Sequence, residues 1–206
     1  MSESSEASEP ISVPSDEDQE STAGVVSVGS VQVAEMDEEH EKCAAALNAL
    51  VAKPTESALR LVLREFTTHF THEEEMLDTY LYNEVIAGGG ASAGGFSADA
   101  SARRSHHADH ARMLSDIKRL LAAAATAGAA GAGAGSAVWQ RSSNELLLRR
   151  ECVEEIVSDF EGHADLYDGM YAERLSAALA AEQQQQQQAT AAAGGNAEEA
   201  VEDGSS

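Results

Sequence analysis

Four stretches of this chain repeat apolar residues at helical spacing, and each of the four stripes carries a histidine where a large hydrocarbon side chain is expected. The first stretch runs from about Ala34 to Ala52 and places His40, Cys43, Leu47, Leu50 and Val51 on one face. The second opens at Pro54, a residue suited to a first helical turn. Along it Leu59, Val62, Phe66, His69, Glu73, Leu77 and Tyr80 share a stripe. The third begins near Arg103 and aligns His106, His110, Met113, Ile117 and Leu120. In the fourth, Leu146, Val153, Ile156, Phe160, His163, Tyr167 and Leu175 recur at helical steps. No run alternates with period two, so no strand is expected.

Four amphipathic helices predict an all-α fold, an up-down-up-down four-helix bundle over residues 31–181. Residues 1–30 are rich in Ser and Glu and poor in large apolar side chains, which predicts a disordered acidic tail. Residues 182–206, where Gln183 to Gln188 run into Ala, Gly and acid, predict a second disordered tail. Gly- and Ala-rich inserts are expected near 87–102 and 122–137. The stretch from Leu120 to Trp139 is uncharged and has about the length of a membrane span. Alanine and glycine contribute little transfer energy, so it reads as a flexible insert.

Five histidines and two carboxylates directed into one core would be severely destabilising without compensating cations. His69 and Glu73 stand at i and i+4, and His106 and His110 repeat that spacing, so each pair can reach one metal centre. His163 and Asp168 are five apart, which leaves Asp168 about 140° round an α-helix from His163. His72 and His107 lie off the stripes and read as solvent-facing. Glu74 and Glu75 read as solvated charge, with Glu74 able to stand behind a ligand. Imidazole with carboxylate and without thiolate suits iron, manganese or zinc. The candidate ligands, His40, His69, Glu73, His106, His110, His163 and Asp168, exceed one ion's needs. Two octahedral ions sharing the carboxylates and a bridging oxide or hydroxide use them all and leave one coordination position open.

These residues resemble the hemerythrins and bacterial hemerythrin-like domains. The likeness rests on a lone His40 after "MDEE", "HFTHEE" at 69–74, "HHADH" ending at His110, and "HADLYD" at 163–168. It covers residues 28 to 180. The resemblance implies two non-haem irons, with His106, His110 and His163 on one, His40 and His69 on the other, and Glu73 and Asp168 bridging. It implies reversible O2 binding at the open position, as carrier, store or sensor; the alternative at the same site is a diiron oxidase or peroxidase, or an iron-buffering protein. Two departures stand out. Where the family has a Trp before the last His, this chain has "DFEG", and Ala164 follows His163 in place of a large aliphatic residue.

Other classes fit poorly. With 13 Lys and Arg against 36 Asp and Glu, a net charge of −23 repels nucleic acid and anionic membranes. No histidine has Glu three positions before it, as ferritin-like diiron bundles require. "HEEEM" has Met76 where a zinc hydrolase needs its second His. Cys43 and Cys152 are too few for a disulfide framework and predict a reducing compartment. The N-terminus has neither signal nor transit character, and a cytoplasmic location is expected.

Overall fold

The computed structural model describes residues 25–82, 98–129, 136–142 and 145–198. Helix α1 (Ala34–Ala52) follows an extended Val33, and Glu35 and Asp37 in its first turn complement the positive end of the backbone dipole. Helix α2 (Glu56–Tyr80) is capped by Thr55, whose Oγ1 accepts the Ala58 N–H at 3.2 Å. Pro54 therefore precedes the cap and does not occupy the first turn; its carbonyl accepts the Leu148 N–H at 2.7 Å. Helix α3 spans Ala98–Ala129. Helix α4 (Arg150–His163) passes through a single π turn (Ala164–Asp168) into α5 (Gly169–Glu198), so these three pieces form one rod. The protein is mostly helical, and α1 packs on α2 and α4, α2 on α3 and α5, and α3 on α4.

Several expected boundaries move. α3 takes in residues 98–102 and 122–129, parts of both expected inserts, and buries Ala124 and Ala127. Alanine is the strongest helix former, so the helix persists until glycine becomes dense. The absence of strands is also corrected. β1 (Trp139–Ser142) and β2 (Glu145–Leu148) pair antiparallel with Trp139 opposite Leu148, so Leu146 belongs to a strand and not to the fourth helical stripe. Four-residue strands are too short to display a period of two. Trp139 is no part of a flexible insert: its side chain is fully buried and its indole N–H donates to the Leu120 carbonyl at 2.8 Å.

Packing also begins before residue 31. Val26 is buried, its N–H donates to Asn48 Oδ1 at 2.9 Å, and its carbonyl accepts from Asn48 Nδ2 at 3.1 Å. At the other end α5 continues through Gln183–Gln188 with those side chains exposed. Residues 1–24 and 199–206 of the expected tails, with the glycine-rich segment at 83–97, lie outside the described residues. No helix among the described residues is long and apolar enough to cross a membrane.

The core falls into two apolar clusters. One contains Cys43, Leu47, Phe66, Met113, Ile117, Trp139, Ile156 and Phe160. The other contains Val31, Val33, Met36, Met76, Leu77, Tyr82, Tyr171 and Leu175. On every rod the candidate ligands occupy the stretch between them: His40 between Met36 and Cys43, Glu73 between Phe66 and Leu77, and His163 and Asp168 between Phe160 and Tyr171. Along α1 and α3 the chain meets the second cluster before the first, Ala102 being the α3 residue packed against the second; along α2 and the α4–α5 rod it meets the first before the second.

Trp139 gives a test of the hairpin. Trp139→Ala removes a fully buried indole and its hydrogen bond, and is expected to cost about 3–5 kcal/mol of stability in urea denaturation. The metal content stays unchanged. A loss under about 1 kcal/mol, the range of ordinary surface substitutions, would show that the hairpin does not contribute to the core.

Candidate metal centre

All seven candidate ligands are buried, and Glu73 is fully inaccessible. They converge in two groups, each able to hold a metal ion: Glu73, His106, His110 and His163 in one, and His40, His69 and Asp168 in the other. Helical spacing explains His69 with Glu73 and His106 with His110. The His163–Asp168 pair needs something else, and the π turn supplies it. Its Gly169 N–H reaches back five residues to the Ala164 carbonyl. A chain wound this way stacks residues five apart, so Asp168 shares the inner face with His163. The sequence expectation of an Asp entering from the side is corrected accordingly. Glycine at 169 and 162 imposes no steric demand, since a Cβ at Gly162 would meet nothing and one at Gly169 only an ordinary contact.

Within the first group, His163 Nε2 lies 3.2 Å from His106 Nε2 and 2.9 Å from His110 Nε2. Glu73 Oε2 is 3.1 Å from His110 Nε2, 3.5 Å from His106 Nε2 and 4.0 Å from His163 Nε2. Asp168 turns its two oxygens to different groups. Oδ1 lies 3.3 Å from His163 Nε2 and 3.7 Å from His106 Nε2, while Oδ2 lies 3.1 Å from His40 Nε2. Glu73 also spans the groups, with Oε2 4.0 Å from His69 Nε2.

Whether these side chains fit cations can be judged from their unsatisfied atoms. His69 Nε2, both oxygens of Glu73 and Asp168 Oδ1 are buried without a hydrogen-bond partner, although other polar atoms crowd around them. The donor atoms of each group lie within 4.8 Å of one another. A native core rarely leaves so many polar atoms unpaired, and a metal ion in each group would satisfy them. The residues fit.

Carboxylates stand behind the ligands and orient them. His163 Nδ1 meets Asp109 Oδ2 at 2.9 Å, His110 Nδ1 meets Glu74 Oε1 at 2.9 Å, and His69 Nδ1 meets Glu39 Oε2 at 3.4 Å. Such partners hold the ring with the other nitrogen turned inward. The sequence points to Glu74 in this position but not to Glu39 and Asp109, acids off the apolar stripes that only the packed helices largely bury. A spacing cue existed in the i, i+1 steps Glu39–His40 and Asp109–His110, but the contacts are made across helices. The off-stripe histidines share these acids. His72 Nδ1 is 3.0 Å from Glu39 Oε1, with the side chain 34% exposed, and His107 Nδ1 is 3.5 Å from Glu74 Oε2. Neither reaches the centre.

The sequence departures near His163 are filled from elsewhere. Phe160 is fully buried, stacks on Phe66 at 4.6 Å and meets the His40 and His69 rings edge-on. Asp159 points to Arg112, whose Nη1 donates to it at 2.7 Å while Nε donates to Asp109. Phe70 stacks on His110 at 4.0 Å and Tyr167 on His106 at 4.9 Å, so hydrocarbon surrounds the ligands. Burial pushes the Cys43 thiol pKa up, which keeps it neutral beside the site.

Buried histidines and carboxylates gathered inside a helical core define a metal-binding helical protein. The hemerythrin HHE cation binding domain family matches residues 31–175, and the chain belongs to that family. No curated protein and no solved structure matches the chain.

In the metal-free cage His163 favours its protonated form. Burial pulls the His163 imidazole pKa down, but Asp168 and Glu73 outweigh it and raise the value to about 10. Burial likewise pushes Glu73 up, and His106, His110 and His163 override it to hold Glu73 well below the usual carboxylate range. The raised His163 pKa stabilises the metal-free fold fully below about 6.5, the free imidazole value, and that contribution fades as pH rises through about 10. A metal must displace this proton, so apparent affinity is expected to rise about tenfold per pH unit between about 7 and 10. Chelator competition at several pH values measures it, and a flat profile would refute a proton held at the site.

Proposed function

We propose that this chain holds two iron ions between the rods of an up-down-up-down bundle and binds O2 reversibly at one of them. The observation that carries the reading is Asp168, whose two oxygens face different ligand groups. A carboxylate placed so is suited to bridge. The alternating order of the two apolar clusters along the chain supports the bundle topology.

The imidazole count supports the rest. Three imidazoles serve one group and two the other, with Glu73 and Asp168 between them. With shared bridges otherwise equal, the ion beside His40 and His69 has one position fewer filled. Spacing favours an octahedral ion: two donors about 2.1 Å from one metal and at right angles lie about 3.0 Å apart, against about 3.4 Å for a tetrahedral pair. The closest pairs, at 2.9 and 3.1 Å, match the right-angle value.

Bound iron supplies the electrons that O2 binding requires. The chain's own residues do the remainder. Asp109, Glu74 and Glu39 hold the ring nitrogens in place, while Phe66, Phe70 and Phe160 keep water from the pair and so slow irreversible oxidation. We further propose O2 as the small ligand, a cytoplasmic location, and no partnership with nucleic acid or membrane. A diiron oxidase or peroxidase is the second reading, favoured by a cavity of about 590 Å³ bordered by His40, wider than O2 needs.

Anaerobic loading with ferrous iron is expected to give two irons per chain. In air a visible charge-transfer band should appear and then vanish under vacuum. Irreversible bleaching with consumption of added hydrogen peroxide would replace carriage by the enzyme reading. Glu73→Ala is expected to lose the pair while His72→Ala retains it; equal iron content in the two variants would undo the ligand assignment.

A further inference from the structure

The residues before α1 form a strap, and the cavity bordered by His40 lies between that strap and the helix. Two latches hold the strap. Asn48 pairs with both backbone groups of Val26, and Asp37 accepts from Ser30 Oγ and the Val31 N–H, each at 2.7 Å. Between the latches, Ser27, Val28 and Gly29 bridge the groove opposite Ala44 and Ala45. Of the seven candidate ligands only His40 lines this groove.

We propose that this groove is the port through which small neutral molecules reach the metal position beside His40, with the strap as its adjustable wall. The inference rests on a metal at His40, which both readings above share. Several features carry it. The groove is mixed: Ser27, Ser30 and Asn48 line it beside Val26, Val28 and two alanines, whose apolar surface suits an uncharged diatomic molecule. Asp37 and Glu41 at the groove disfavour anions by like-charge repulsion. Phe160 meets the His40 and His69 rings edge-on, and the groove borders His40 as well, on the group with fewer imidazoles. Finally, the strap is held by side-chain hydrogen bonds and a few buried valines and not by a ladder, so it can open locally without unfolding the helices.

Nitric oxide binding to the anaerobic, ferrous-loaded full chain is the test, read by stopped flow. Ala45 is exposed and lines the groove, so Ala45→Trp is tolerated by the fold and narrows the port. Gly29→Phe narrows it from the strap side, where an added Cβ meets nothing within 4 Å. Each is expected to slow association and dissociation together by about tenfold or more, with Kd within about twofold of wild type, because a route changes rates and not end states. Asn48→Ala is expected to speed association by about threefold or more and to raise amide hydrogen exchange at Val26, a readout independent of the metal. Unchanged association rates in both narrowed variants overturn the port. So does a rate that falls only in proportion to a weakened Kd. A wild-type protein that takes up no iron would instead overturn the metal reading itself, and the port with it.

Discussion

A layer of buried imidazoles and carboxylates between two apolar clusters is the constraint on which the rest of this structure depends. Each charged group withdrawn from water loses several kcal/mol of hydration, and mutual attraction recovers that only when geometry and hydrogen bonding are both good. Here the groups approach within 2.9–4.0 Å, yet His69 Nε2, both Glu73 oxygens and Asp168 Oδ1 find no hydrogen-bond partner. Unpaired, these atoms are a defect in a buried layer, and a metal ion in each group would satisfy them. The apolar clusters on either side close it from water, and each of the rods contributes to all of these layers.

Ligands alone do not make the site. An imidazole presents one nitrogen inward only if something fixes the ring, and Asp109, Glu74 and Glu39 do so from neighbouring helices. Arg112 in turn ties Asp109 to Asp159, connecting α3 to α4 at the level of His163. The chain's acidity thus has a local use. Carboxylates that look like a uniformly solvated surface in the sequence include those that set the ring orientations of the centre. Burial pushes the Glu39 and Asp109 carboxyls up, but the imidazoles beside them, with Arg112 at Asp109, hold both below the usual carboxylate range. The cost of the polar layer is met by contacts from three directions: carboxylates behind the rings, aromatic faces beside them, and cations within.

The strap introduces an asymmetry that the four-rod framework does not require. It joins the second apolar cluster through Val31 and Val33 and reaches the first through Val26, crossing the level of His40 on the way. Gln32 turns the chain between them with a positive φ of 60°, in the left-handed region that a non-glycine residue adopts at some cost. Among the candidate ligands, only His40 also borders the groove under this segment and its two polar latches. Small-ligand access would follow that asymmetry.

The sequence by itself determined the helices, their inward faces and the identity of the buried polar set, because a period of 3.6 and the rarity of histidine on apolar stripes are local properties of neighbouring residues. His69 with Glu73 and His106 with His110 were legible for that reason. Tertiary structure decided what local periodicity cannot encode. The π turn that brings Asp168 onto the face of His163 depends on winding that an α-helical wheel does not represent. The Trp139 hairpin is two strands too short to show a period, and its value lies in a bond to Leu120 on another element. The roles of Glu39 and Asp109, and the latch of Asn48 on Val26, are contacts between residues far apart in the chain. Only the packed arrangement of the rods brings such groups within hydrogen-bonding distance.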